Sequence, residues 1–139
     1  MDRPPLERML EFGIYADDVE GTAAFYERVL GFRRLVSDRR LVALDVEGSG
    51  VLLVFERGAS TEPIDTPNGV LPPHDGQGDP HFAFAVPAGA LETWEAWLAT
   101  HGVEIESTMD WDRGGRSLYF RDPEGHLLEL VTPGTWRTY

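Results

Sequence analysis

The chain repeats itself, and that repetition constrains its fold more than any other feature. Leu10-Glu-Phe-Gly-Ile-Tyr-Ala is followed by a helical pattern over 18–30 and then Gly31. The later stretch Pro80-His-Phe-Ala-Phe-Ala-Val is followed by a helical pattern over 88–101 and then Gly102. Each unit opens with an apolar/polar alternation of strand type. The helical patterns place Val19, Phe25, Tyr26, Val29 and Leu30 on one stripe, and Leu91, Trp94, Trp97 and Leu98 on the other. Asp18 suits an N-cap, and Gly31 and Gly102 stand where a left-handed residue ends a helix. Further short strands follow in each half, ending in Val51-Leu-Leu-Val-Phe and Leu127-Leu-Glu-Leu-Val. The sequence therefore predicts an α+β fold of two diverged βαβββ modules, spanning about 8–57 and about 80–133 of one domain covering 1–139. Between them, 58–79 is rich in proline and glycine and is expected to be a connecting loop without a ladder or helix.

Charge narrows the partners. The 139 residues carry 24 Asp and Glu against 12 Lys and Arg, a formal net charge of -12. Nucleic-acid binding needs a basic surface, and so does an anionic membrane, so neither is an expected partner. The wholly apolar run Val51 to Phe55 is far short of the roughly 20 residues of a spanning helix, and no run is longer. The opening Met1-Asp-Arg-Pro-Pro does not read as a signal peptide. With no cysteine there is no disulfide and no thiolate ligand. The expected setting is cytoplasmic.

The strands carry polar residues whose parity matters, because alternate side chains share a face. Glu11, Gly13 and Tyr15 form one face of the first strand, as do His81, Ala83 and Ala85 of the corresponding strand in the second unit. Glu129 shares its face with Leu127 and Val131 and sits inside an apolar run. A carboxylate so placed must face solvent, pair with a cation or take up a proton. Glu11 and His81 occupy equivalent places in the two units, and Glu129 lies on the last strand. One imidazole and two carboxylates suit a borderline-to-hard divalent ion, and three ligands leave positions open for a substrate.

These residues resemble the vicinal oxygen chelate superfamily, the glyoxalase/bleomycin-resistance/dioxygenase proteins. The resemblance runs from Leu10 to Thr132. It is carried most specifically by Ala24-Phe-Tyr-Glu-Arg-Val-Leu-Gly-Phe, Pro80-His-Phe-Ala-Phe-Ala-Val and Ser117-Leu-Tyr-Phe-Arg-Asp-Pro-Glu-Gly-His-Leu-Leu-Glu-Leu. It implies cupped mixed sheets, each a half-barrel and usually completed across a homodimer. It also implies metal ligands at the Glu11, His81 and Glu129 places and one divalent ion, Mn, Zn, Ni or Fe. The first ligand of the family is often His, where this chain has Glu11. Glyoxalase I enzymes add a carboxylate on the last strand of the first module, a place that falls here on Leu53 or Val54. A local likeness to fosfomycin-resistance thiol transferases, through Ser117-Leu-Tyr-Phe and the segment 122–129, makes Tyr119 a candidate for holding a substrate's anionic group. The hydroxyl and lysine of those enzymes fall on Gly13 and Met109.

Arg113 and Arg116 flank two glycines and can receive a carboxylate or phosphonate, or balance Asp110 and Asp112. Asp122-Pro-Glu-Gly reads as a turn. His126 has the wrong parity to join Glu129, and His74 and His101 read as structural or exposed. Trp94 and Trp97 read as a core stripe, and Trp136 as an exposed residue that docks on a partner chain. The expected function is a metal-dependent lyase, isomerase, transferase or dioxygenase that stabilises an oxyanion on a small oxygen-chelating substrate. The alternative is a metal-free protein sequestering a cationic drug or other small molecule, as bleomycin-resistance members do.

Overall fold

Both repeats become sheets with one helix each in the computed structural model, which describes residues 1–139. The first runs β1 (Glu11–Ala16), α1 (Val19–Leu30), β2 (Arg33–Ser37), β3 (Leu41–Asp45) and β4 (Val51–Glu56). A ribbon of β5 (Ile64–Thr66) and β6 (Gly69–Leu71) follows. The second repeat runs β7 (His81–Ala85), α2 (Leu91–Thr100), β8 (Ser107–Asp110), β9 (Arg116–Arg121) and β10 (Leu127–Val131). The strand orders are β1-β4-β3-β2 and β7-β10-β9-β8, the same topology twice. In each, the first strand is parallel to the last and the remaining neighbours are antiparallel. A parallel pair needs a long crossover, and the helix supplies it. The chain divides into two units, Met1–Gln77 and Gly78–Tyr139.

In the first unit, Asp18 caps α1 by accepting the Gly21 amide at 2.9 Å, and Gly31 closes the helix at φ 73°. Thr22, Ala23, Phe25, Tyr26, Val29 and Leu30 of α1 are buried. Beneath them lies the even-numbered face of the sheet, with Ile14, Val42, Leu44, Leu52 and Val54 almost free of solvent. Arg34 ties β2 to the helix through Glu20 at 2.7 Å and Glu27 at 2.6 Å. The odd-numbered face, carrying Glu11, Gly13 and Tyr15, is left away from the helix.

The second unit follows the same logic with two departures from expectation. Its helix starts at Leu91 rather than at 88, because Gly89 adopts φ 82° and the Ala90 amide closes a turn on the Pro87 carbonyl at 3.1 Å. Trp97 is 45% exposed and packs on His101, with ring centroids 3.9 Å apart, instead of lining the core. At about 100° per residue, Leu91, Trp94 and Leu98 make the inward stripe and Trp97 falls off its edge. Leu118, Phe120, Leu128 and Leu130 are buried on the even-numbered face of β9 and β10. The β9–β10 turn is locked by Asp122, which accepts the amides of Glu124 at 2.9 Å and His126 at 3.0 Å. Its second oxygen meets His126 Nδ1 at 2.6 Å, in a pair sealed from water.

The expected loop 58–79 does contain a ladder. Pro63 and Pro72 stand just outside β5 and β6, and Pro67 lies in the turn, so no proline removes a ladder donor. Thr66 Oγ1 accepts the Asn68 amide at 3.2 Å and donates to the Gly69 carbonyl at 2.8 Å. Proline count alone misjudged the segment, because the prolines are spaced to frame a short hairpin.

Asp18→Ala is expected to lower stability by about 1 kcal/mol in a denaturant titration. Gly21→Ala should bring no helix-propensity gain, because a Cβ there would lie 2.2 Å from Asp18 Oδ2 and displace the cap.

Candidate metal centre

In the second unit the middle strand β10 carries a carboxylate between its neighbours. Register sets Glu129 beside Ala83 of β7 and Tyr119 of β9, and Leu127 beside His81. Paired residues project to one side, so His81, Tyr119 and Glu129 share the face turned away from α2. Ala83 is short enough to let the His81 ring reach diagonally across. The His81 Nε2 lies 3.1 Å from Glu129 Oε2, and the ring centroids of His81 and Tyr119 are 6.0 Å apart. Glu129 is 6% exposed, while His81 remains open.

Hydrogen bonds fix the orientation of both. His81 Nδ1 is 2.9 Å from the Leu127 carbonyl. A carbonyl can only accept, so Nδ1 carries the hydrogen and, in the neutral ring, Nε2 presents its lone pair to Glu129. Glu129 Oε1 accepts from the Ser117 hydroxyl, which in turn accepts the Trp111 indole N–H at 2.8 Å. Ser117 is 1% exposed. Tyr119 is held above its ordinary pKa first by burial and then by the charge of Glu129, with Ser117 acting the other way. Its phenol is therefore a proton donor at neutral pH.

Arg116 does not join this group. It has the parity of Leu118 and Phe120, and its Nε bonds Asp110 Oδ1 across β8 at 2.7 Å. It borders a cavity of about 180 Å³ shared with Gly89, Leu91, Glu92 and Thr132. Arg113 is exposed in the turn between β8 and β9.

Glu11 begins β1 in the first unit and is exposed. Its face includes Gly13, Tyr15, Leu53, Phe55 and Ala43 by register. The position open between Leu53 and Val54 is thereby resolved: Leu53 shares the Glu11 face, and Val54 is buried toward the helix. His74 closes the far end of that face. Its Nδ1 is 2.7 Å from the Tyr15 hydroxyl, and its ring stands edge-on to Phe55 at 4.5 Å. Arg57 holds the approach by donating to the carbonyls of Gly76 at 2.6 Å and Tyr15 at 3.2 Å. Burial raises the Tyr15 pKa, with Asp75 adding to it. No group of three or more His, Asp or Glu side chains is gathered around a point that could hold a metal ion.

Sequence reasoning passed over Ser117 and Trp111, and it read His74 as structural or exposed without a partner. Ser117 was findable, since it shares parity with Tyr119 two residues on. Trp111 and His74 lie outside the strands, where parity says nothing.

A family model described as the Glyoxalase/Bleomycin resistance protein/Dioxygenase superfamily matches residues 8–130. The metallothiol transferase FosB of Bacillus licheniformis is 29% identical over 116 residues, covering 83% of this chain and 68% of its own. The metallothiol transferase FosB of Staphylococcus epidermidis is 27% identical over 116 residues, covering 83% and 74%. Among solved structures, lactoylglutathione lyase from Agrobacterium tumefaciens superposes with a TM-score of 0.87 at 29% identity, covering 96% of this chain and 99% of that one. The chain belongs to the Glyoxalase/Bleomycin resistance protein/Dioxygenase superfamily. No helix of it is long and apolar enough to cross a membrane.

An ultraviolet titration of the metal-free protein should show the Tyr15 phenol ionising above the ordinary value of about 10. Asp75→Asn should lower that value only in part, because burial is the larger cause. The raised pKa means the folded state holds this proton more tightly. Its contribution to stability is complete below the unfolded pKa and is lost as pH rises through the folded one. Tyr15→Phe should abolish that alkaline loss.

Proposed function

We propose that Glu11, His81 and Glu129 hold one divalent ion, and that the chain is a metal-dependent enzyme of the glyoxalase/bleomycin-resistance/dioxygenase type acting on a small oxygen-chelating substrate. One observation carries the reading. With Nδ1 committed to a carbonyl, His81 Nε2 and Glu129 Oε2 are two acceptors facing each other at 3.1 Å. A proton on Nε2 turns the contact into an ordinary ion pair, and a divalent ion bound by both groups would take that proton's place. Donors bound side by side to one ion at about 2.0–2.2 Å lie about 3 Å apart, so the pair already has the spacing of two ligands. A backbone carbonyl behind the imidazole is the usual outer support of a ligating histidine.

Glu11 is the third ligand, contributed by the first unit of the same chain or of a second copy. A homodimer is part of this reading. Leu10 and Phe12, on either side of Glu11, are 56% and 36% exposed, as an interface strand would be. One imidazole and two carboxylates suit Mn, Zn, Ni or Fe. When bound, the ion supplies Lewis-acid stabilisation of negative charge developing on a substrate oxygen. Tyr119, kept protonated, donates a hydrogen bond to an anionic group beside Glu129. Arg113, in the exposed turn before β9, draws an anionic substrate toward an otherwise acidic protein. Relatives named metallothiol transferase and lactoylglutathione lyase support transferase or lyase chemistry. An acidic, cysteine-free chain suits the cytoplasm.

Calorimetric titration of chelator-stripped protein with each of the four ions tests the assignment. About one ion per chain should bind, raising the melting temperature by mass action worth about 2.7 kcal/mol at a hundred times Kd. Glu129→Gln, His81→Ala and Glu11→Gln should each weaken binding, the first two most. Unchanged affinity and stoichiometry in the Glu129 and His81 variants would remove the metal centre.

A further inference from the structure

Behind Glu129 runs a hydrogen-bond chain with a fixed direction. The Trp111 indole N–H can only donate, and it donates to Ser117 Oγ at 2.8 Å. Ser117 thus spends a lone pair on Trp111 and turns its single hydrogen to Glu129 Oε1. The start of the chain is itself anchored. Trp111 donates its amide to the Gly115 carbonyl at 2.8 Å and accepts from the Gly114 amide at 2.9 Å, in a turn where Gly114 has φ 95°. Gly115 admits no side chain there, since a Cβ would lie 2.6 Å from the backbone of Gly134. The two carboxylate oxygens are thereby made unequal. Oε1 is engaged from behind, and Oε2 faces His81 Nε2.

We propose that Trp111 and Ser117 are positioning residues that make Glu129 a one-oxygen ligand through Oε2, keeping a coordination position for substrate that a two-oxygen carboxylate would fill. This rests on the metal reading above. Tyr119 stands beside Glu129 on the open face. The Trp111–Ser117 chain holds the carboxylate from the buried side whatever occupies the front.

The test compares Trp111→Phe, which keeps the ring and removes the N–H, with Ser117→Ala and Ser117→Thr. Each is titrated with Zn(II) or Mn(II) by calorimetry, and the zinc-loaded proteins are examined by X-ray absorption. Ser117→Ala should raise the metal Kd about 10–100-fold, the range for losing an outer-shell partner. Trp111→Phe should weaken binding in the same direction by less, and Ser117→Thr should restore wild-type affinity. The Trp111→Phe/Ser117→Ala pair should be no weaker than Ser117→Ala alone, because both act through one oxygen. Absorption spectra should show a one-oxygen carboxylate in wild type and a two-oxygen carboxylate in Ser117→Ala. Wild-type affinity and spectra in Ser117→Ala and Trp111→Phe, alongside impaired Glu129→Gln, would overturn this inference and leave the metal centre standing. Failure of wild type to bind any ion would remove both. Should Ser117→Ala not fold, Trp111→Phe against Ser117→Thr decides the matter with the core intact.

Discussion

A carboxylate on the middle strand of a sheet, nearly closed to solvent, is the constraint that organises the second unit. An ionised group in that position costs several kcal/mol unless it is partnered. The side chains around Glu129 answer that demand. Ala83 leaves room, His81 reaches across the gap, Ser117 donates from the buried side and Tyr119 stands alongside on the open one. None of these is a large apolar residue, though the opposite face of the same strands carries Leu118, Phe120, Leu128 and Leu130. The sheet is therefore two-sided: one face makes the core, and the other sets polar groups around Glu129 between Leu127 and Val131.

Duplication explains how such a face arises twice and ends differently. Both units use the same strand order, with a parallel first and last strand. In the first unit the face opened by Glu11 is closed at its far end by aromatic rings, Tyr15, Phe55 and His74, in mutual contact. In the second, the corresponding face carries His81, Tyr119 and Glu129. The register that sets Gly13 beside Leu53 also sets Ala83 beside Glu129. One position on the last strand is thus apolar in the first unit and charged in the second.

Much of this was legible beforehand because it depends on short-range periodicity. The repeat, the helix cap at Asp18, the parity of Glu11, His81 and Glu129, and the turn at Asp122 follow from local rules. What escaped depends on where backbone goes between elements. Arg116 reads as either a substrate anchor or a partner for Asp110, and its even parity on β9 turns it from Glu129 to the second role. Trp97 obeys a helical spacing but lies on its margin. The ribbon at 64–71 needs its prolines placed, not counted. His74 reaches Tyr15 only through the path of the segment that carries it.

The sealed Asp122–His126 turn has an evolutionary consequence. It joins β9 to β10 and sets their alignment without using the face that carries Glu129. Selection is then free to exchange side chains on the Glu129 face without unsettling the frame beneath. A scaffold with that separation can diversify its chemistry while its architecture stands still.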